Sequence, residues 1–171
     1  AVSANAKQQR TQGSSYGYLN LPKGINVFKE PSEGRISLDF LPYTVSEPKH
    51  PDRNDEAGVA VVGELWYKRP YKVHRNVGGK NEAVVCLQSI GKRCPICDYR
   101  AQRVKDGTED EELKALKPSN RNLYIVVPRG QKDAEEKPHV WDISQFLFQD
   151  KLNEELEENE DMGVFPDPED G

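Results

Sequence analysis

The sequence predicts a mainly β protein with a few helices and one segment in which metal-binding side chains are concentrated. Residues 35–40 alternate polar and apolar side chains, which is typical of a half-buried antiparallel strand. Other short β-prone runs are separated by turns rich in glycine and proline. All three cysteines of the chain fall between residues 86 and 97. These observations favour a sheet-based core with a small lobe that is held together by a ligand set.

The cysteine segment reads His74-x11-Cys86-x7-Cys94-Pro95-Ile96-Cys97. One imidazole and three thiolates complete the tetrahedral set of nitrogen and sulfur ligands that a structural zinc ion prefers. Cys94 and Cys97 would supply two ligands from one tight turn, and Cys86 is the remaining thiol. We therefore predict one structural Zn²⁺ per chain, bound by His74, Cys86, Cys94 and Cys97.

Other interpretations of the same cysteines remain open. Cys94 and Cys97 could form a redox pair, although no βαβ pattern surrounds them. Disulfides would leave one of the three cysteines over, and nothing marks the chain as secreted. The thiols could also be buried and unrelated. The fourth ligand is the least determined position, because His50 or a water could replace His74.

The composition limits the class of protein. For 171 residues, one domain with insertions is the default. Only 35% of the residues are hydrophobic, so a metal would help to close a weakly packed lobe. The sequence shows no signal-peptide pattern and no apolar run near membrane-spanning length. We expect a soluble cytoplasmic protein with a flexible arm over residues 1–20, a core over residues 21–171 and a zinc lobe at about residues 70–117.

The charge is distributed unevenly along the chain, although the net charge is −5. Residues 65–105 carry ten Lys or Arg against two acids, whereas residues 133–171 carry two Lys against fourteen acids. A polyanion responds to the local field rather than to the total charge. Within residues 66–72, cations that could follow phosphates alternate with aromatic rings that could stack on unpaired bases. An ordinary strand with a core-facing aromatic row also fits this stretch.

The remaining elements follow from turn and capping signals. We expect further strands at residues 24–29, 59–73, 83–86, 122–127 and 140–143, with Pro128 ending the strand before it. Helices are expected at residues 96–106 and 109–117, and from a cap at Asp142 or Ser144 to about Asp161. The apolar spacing predicts that Phe148, Leu152 and Leu156 bury this last helix.

Two side-chain orientations can also be predicted. His50 lies in a polar loop and is expected to be solvated. Trp66 continues the apolar row of Ala60 and Val62, which would leave Tyr67 and Tyr71 facing the solvent or a ligand.

Taken together, these motifs resemble those of the zinc-containing single-stranded DNA-binding (helix-destabilising) proteins of tailed bacteriophages. The resemblance covers roughly residues 20–171. It includes the strand ending in Phe40-Leu41-Pro42, the ordered His and Cys set followed by Tyr99, the strand at residues 122–127, and Val140-Trp141-Asp142 leading into a helix. The ordered His and Cys set is the specific part of the resemblance.

The resemblance implies an OB-fold barrel with an inserted zinc-binding lobe and a packed helix, and single-stranded DNA lying in a basic cleft between barrel and lobe. Because residues 165–171 form a turn that leads to no further element, we expect this barrel to be incomplete. The resemblance also implies action on unpaired strands during phage DNA replication, recombination or repair, in the cytoplasm of an infected bacterium, beside phage replication and recombination proteins. The predicted DNA-binding side chains are Tyr67, Lys68, Arg69, Tyr71, Lys72, Arg75, Lys92, Arg93, Tyr99, Arg100, Arg103 and Arg121.

Enzymatic activity is not expected. The chain lacks the His-x-Glu and Pro-Cys-x-x-Cys signature of zinc deaminases, and a catalytic zinc keeps an open position that a full ligand set does not leave. The alternative from another functional class is a zinc-bearing adaptor or transcription regulator that binds protein or duplex DNA. No helix-turn-helix pattern supports a duplex reader.

Overall fold

The computed structural model describes residues 18–132 and 134–171. The predicted N-terminal arm therefore lies mostly outside the described residues. The chain divides into two compact units. The lobe unit contains Val73–Ser119 together with the described residues before Asn26, and the sheet unit contains Asn26–Lys72 and Asn120–Gly171.

The described residues form a mixed α/β structure in which strands predominate. The strands are β1 Val27–Phe28, β2 Ser37–Leu41, β3 Tyr43–Thr44, β4 Leu65–Trp66, β5 Lys68–Val77, β6 Glu82–Val85, β7 Ser119–Arg129 and β8 His139–Ser144. The α-helices are α1 Pro95–Lys105, α2 Asp110–Leu116 and α3 Gln149–Glu158. Short 3₁₀ turns cover Leu87–Ile90 and Glu160–Val164.

Strand β7 organises the sheet unit. It pairs antiparallel with β8 through the register Tyr124↔Trp141 and with β2 through the register Phe40↔Val126. Strand β1 adds to β8 in parallel, and the strand order β1-β8-β7-β5-β6 is an open path among the described strands. Strands β3 and β4 form a separate two-stranded sheet. The first half of β5 belongs to the sheet unit, and its second half enters the lobe unit, where it pairs with β6.

An aromatic cluster forms the core of the sheet unit. Its buried members are Phe28, Tyr67, Tyr124, Val126, Trp141 and Ile143. The alternation in β2 is confirmed, because Ile36, Leu38 and Phe40 are half-buried against this cluster while Arg35, Ser37 and Asp39 are exposed. Phe148, at the cap of α3, and Leu152 within it pack onto the same cluster, as the helical spacing predicts, whereas Leu156 is half-buried outside this cluster and the buried residue of the helix is Gln149. The ring of Phe40 lies 5.7 Å from the ring of Phe148 in a stacked arrangement.

The ends of several elements differ from prediction. The strand expected from residue 59 begins only at Leu65. The prediction that Pro128 ends its strand is wrong, because β7 continues to Arg129. Pro128 pairs there with Leu38 of β2. The pairing of β7 with β8 has already ended at Val126, so the missing N–H of the proline breaks no hydrogen bond to β8.

The predicted start of the last helix is also wrong. Helix α3 begins at Gln149, and both proposed caps are engaged elsewhere. Asp142 lies inside β8. The hydroxyl of Ser144 accepts a hydrogen bond from the Leu147 N–H at 3.2 Å, so it caps a tight turn that precedes the helix.

The lobe unit is built from a hairpin followed by two helices. The end of β5 and the turn to β6 place Asn76, Gly78 and Asn81 at positive φ angles of 56°, 71° and 51°, which glycine and asparagine adopt most readily. Helix α1 then begins after Cys94, with Pro95 at its first position, where a missing N–H costs nothing. The predicted hairpin and both predicted helices are therefore present, within one residue at each helix end.

Candidate metal centre and basic surface

Four potential metal ligands meet inside the lobe unit. His74 lies on β5, Cys86 follows β6 directly, and Cys94 and Cys97 flank the first turn of α1. Their ligand atoms all lie within 4.8 Å of one another. The residues that the sequence singles out are thus brought to one point by a hairpin and the helix start that follows it.

Three of the interatomic distances are close to those around one tetrahedral metal ion. The His74 Nε2 lies 3.5 Å from the Cys94 Sγ and 3.4 Å from the Cys97 Sγ. The sulfurs of Cys86 and Cys97 are 3.5 Å apart. Tetrahedral zinc bonds of about 2.3 Å to sulfur and about 2.05 Å to nitrogen place the ligand atoms about 3.6 to 3.8 Å apart. A disulfide would instead join two sulfurs at about 2.05 Å, and all three cysteines are free.

The surroundings of the sulfurs favour a bound cation. Burial opposes ionisation of Cys94, but the backbone N–H groups of Cys97, Leu87 and Ile96 outweigh it and lower the pKa of this thiol to about 6. Burial and the neighbouring sulfurs of Cys86 and Cys94 raise the pKa of Cys97 to about 12. A thiolate at Cys94 is therefore stabilised by the protein, whereas a second thiolate at Cys97 needs a positive ion beside it. The site could hold one metal ion through all four side chains.

His50 does not belong to this cluster, and the prediction that it is solvated is wrong. Its side chain lies in the sheet unit and is only 5% exposed. The ring Nε2 is 2.7 Å from the Tyr43 hydroxyl, and the ring Nδ1 accepts a hydrogen bond from the Asp52 N–H at 3.1 Å. The packing of the loop around Tyr43 removes this histidine from solvent, which loop composition alone did not indicate.

Basic and aromatic side chains lie exposed on the lobe unit. Arg75 and Lys92 are exposed, and Tyr99 on α1 is 55% exposed. Arg93 pairs with Asp98 at 2.6 Å, but both side chains lie largely in solvent, where such pairs are weak. Two further predicted cations have protein partners: Arg103 pairs with Glu112 at 3.1 Å, and Arg100 donates to the Leu113 carbonyl at 3.3 Å.

A groove that sequence reasoning did not find crosses the lobe unit. It has a volume of about 370 Å³ and is bordered by Arg75 and Tyr99. Apolar side chains form most of its wall, among them Val77, Ile96 and Leu116. These residues come from the hairpin and from both helices, so no local pattern could have indicated that they share one surface.

Three predicted DNA-binding cations of the sheet unit are held in ion pairs. Lys68 pairs with Asp52 at 2.6 Å, and Arg69 pairs with Glu47 at 2.8 Å. Arg121 donates from Nε to the buried Asp142 carboxylate at 2.9 Å. Side-chain exposures of 13%, 24% and 13% show that these cations are mostly covered. Lys72 is exposed.

The outward orientation predicted for Tyr67 and Tyr71 is wrong. Their side chains are 8% and 5% exposed, which leaves no open ring face for a base. Gln149 donates a hydrogen bond to the Tyr67 hydroxyl at 2.8 Å, and the Tyr71 hydroxyl donates to Asp142 at 2.6 Å. The prediction assumed one unbroken strand from residue 59, but β4 ends at Trp66 and β5 begins at Lys68, so the alternation restarts between them.

The expected apolar row before Trp66 is also absent from the described structure. Val62 is 46% exposed, whereas Ala60 is fully buried in a turn with φ of 49°. Trp66 itself is half-buried, and its indole N–H donates to the Asp52 carboxylate at 2.9 Å.

Within the described part of the chain, the helices are too short or too polar to cross a membrane. No family model, curated protein or solved structure matches this chain.

Proposed function

We propose that this protein binds single-stranded DNA without regard to sequence, as a non-catalytic protein whose DNA-binding lobe is stabilised by zinc. The observation that carries the proposal is the convergence of His74 and three cysteines beneath a surface with exposed Arg75, Lys92 and Tyr99. Its biological setting would be the coating of unpaired strands during phage DNA replication, recombination or repair.

Zinc is the metal that suits this donor set best. Three thiolates and one imidazole form a soft tetrahedral set, which zinc occupies in structural sites. All four positions are taken by protein side chains, so none is left for a reactive water. When bound, the ion would supply positive charge to the thiolates and tie β5 and β6 to the start of α1. We therefore assign it a structural role.

The sheet unit is proposed to be the OB-type part of the protein. Its support is the antiparallel pairing of β2, β7 and β8 over one aromatic core, since the OB-fold is a partly open barrel of antiparallel strands. Residues of the lobe unit, rather than the buried Tyr67 and Tyr71, would then supply most of the contacts with DNA.

Phosphate contacts and base stacking would contribute separately to the free energy of DNA binding. Exposed cations such as Arg75 and Lys92 would neutralise phosphates and release the counterions of the strand. The exposed ring of Tyr99 borders an apolar groove and would stack on an unpaired base, which requires no particular sequence. Cations therefore set the salt dependence, whereas the ring contributes affinity that salt barely changes.

The test is a titration of the protein with a fluorescent oligo(dT) strand and with a duplex, each at several salt concentrations. Arg75→Ala should lower the slope of log K against log salt by about 0.7. Tyr99→Ala should weaken binding by about 5- to 150-fold at nearly unchanged slope, as expected for about 1–3 kcal/mol of stacking. Lys151→Ala is the matched control, because Lys151 is an exposed cation on the acidic helix α3.

The same titration separates this proposal from the alternative. Preference for single strands of any sequence supports strand binding. Binding to one duplex sequence, or no binding to either nucleic acid, would overturn it and favour a zinc-bearing regulator or adaptor.

A further inference from the structure

A long loop of the sheet unit reaches back onto its most basic strand. We call residues 45–64 the strap, which connects β3 to β4. Its two ends are fastened together, because the Val45 N–H donates to the Glu64 carbonyl at 2.9 Å and the Gly63 N–H donates to the Val45 carbonyl at 2.8 Å. Val45 is 1% exposed. Ordered loops of this length with closed ends are frequently functional.

The strap places one carboxylate against each of two consecutive cations on β5. Asp52 lies 2.6 Å from the Lys68 ammonium, and Glu47 lies 2.8 Å from the Arg69 guanidinium. A carboxylate and a phosphate are bound by these cations through the same charge-assisted hydrogen bonds. The two acids therefore occupy the donor groups of Lys68 and Arg69 with which these side chains would bind a phosphate.

The strap is latched in this position by hydrogen bonds to His50. The Asp52 N–H donates to the ring Nδ1, and the Tyr43 hydroxyl donates to the Lys68 carbonyl at 2.9 Å. Because the tyrosine hydrogen is used there, the network assigns the histidine proton to Nε2, which donates to the Tyr43 oxygen at 2.7 Å. The Trp66 indole N–H also donates to Asp52. Asp52 is thus positioned opposite Lys68 by groups on both sides.

We infer that the strap is a built-in phosphate mimic, which keeps Lys68 and Arg69 out of contact with single-stranded DNA. This inference rests on the proposed function and adds a means of regulating it. With the strap closed, the protein binds DNA through its other exposed cations. The slope of log K against log salt is then smaller than it would be if every cation in residues 65–105 contacted a phosphate. Opening the strap adds two phosphate contacts.

The experiment removes the charge of the strap acids while keeping their shape. Glu47→Gln and Asp52→Asn, singly and together, are titrated as the full chain with the oligo(dT) strand at several salt concentrations. Each cation released should steepen the salt slope by about 0.7, and both together by about 1.4. Binding at low salt should tighten accordingly. Glu56→Gln is the matched control, because it removes an exposed strap acid that no described ion pair uses and should leave the slope unchanged.

Combining Arg69→Ala with Glu47→Gln tests whether Arg69 is the cation that Glu47 keeps from DNA. Arg69→Ala should leave the slope of the parent unchanged, yet abolish the gain produced by Glu47→Gln. Glu47 is 41% exposed, so its variant remains informative if Asp52→Asn does not fold. If the parent binds single strands but the strap variants keep the parent's salt slope, this inference alone is overturned. A parent that binds no single strand overturns the proposed function and the inference with it.

Discussion

Tyr71→Phe tests whether the aromatic residues of β5 are structural. The Tyr71 hydroxyl donates to the Asp142 carboxylate at 2.6 Å, and the tyrosine side chain is 5% exposed. The Asp142 side chain is completely buried and also accepts a bond from Arg121. Phenylalanine keeps the ring and its packing, so the substitution removes the hydrogen bond without leaving a large cavity.

The magnitude follows from the charge and burial of the acceptor. A hydrogen bond to a charged group contributes about 1.5–3 kcal/mol, and a buried carboxylate cannot recover it from water. Tyr71→Phe should therefore lower the free energy of unfolding by about 1.5–3 kcal/mol. Arg121→Met should cost more, about 3–5 kcal/mol, because it removes the cation that neutralises the buried acid.

The assay is urea denaturation followed by tryptophan fluorescence, with DNA affinity measured on the same variants. Tyr99→Phe is the matched control, because that ring is 55% exposed, and its unfolding free energy should stay within about 0.5 kcal/mol of the parent. Folded Tyr71→Phe protein should bind oligo(dT) like the parent. Unchanged stability combined with weaker DNA binding would refute the reasoning, since the hydroxyl would then serve a ligand.

Further predictions concern the metal and His50 of the strap. Elemental analysis should find one zinc per chain, and removing the metal with a chelator should unfold the lobe unit. Cys94→Ser should lose zinc more completely than His74→Ala. The reason is that three backbone N–H groups and the start of α1 depend on Cys94, whereas water can replace an imidazole as ligand. Zinc retention equal to that of the parent in both variants would contradict the ligand assignment. Burial, and then the charges of Arg69 and Lys68, lower the pKa of His50 below 6.5 against the opposite influence of Asp52 and Glu47. The unfolded chain therefore binds the proton first as the pH falls, so this histidine contributes stability above about pH 6.5 that is lost toward its lower folded pKa. His50→Asn should remove that part of the pH dependence of stability. The measurement compares the urea midpoints of variant and parent at about pH 7.5 and about pH 5.5. Identical pH dependence in both proteins would exclude His50 as its source.

The sequence by itself determined which four side chains form the candidate metal site and which apolar faces of two elements turn to the core. The ligand set lies within residues 74–97, where one hairpin and one helix start are enough to bring its members together. The period of two in β2 likewise predicts which side chains reach the core, and the spacing of four predicts Phe148 and Leu152 but not the buried Gln149 of α3. Each of these inferences depends only on geometry that neighbouring residues share.

The tertiary structure alone decided which cations and aromatic rings are accessible. The partners of Lys68, Arg69 and Arg121 lie 16, 22 and 21 residues away along the chain, so their pairing depends on the path of a loop or on a strand register. The burial of Tyr67 depends on a strand break beside it and on Gln149, 82 residues further along. Composition counts charges and rings, but Coulomb attraction and packing act through space, and only the folded chain sets those distances.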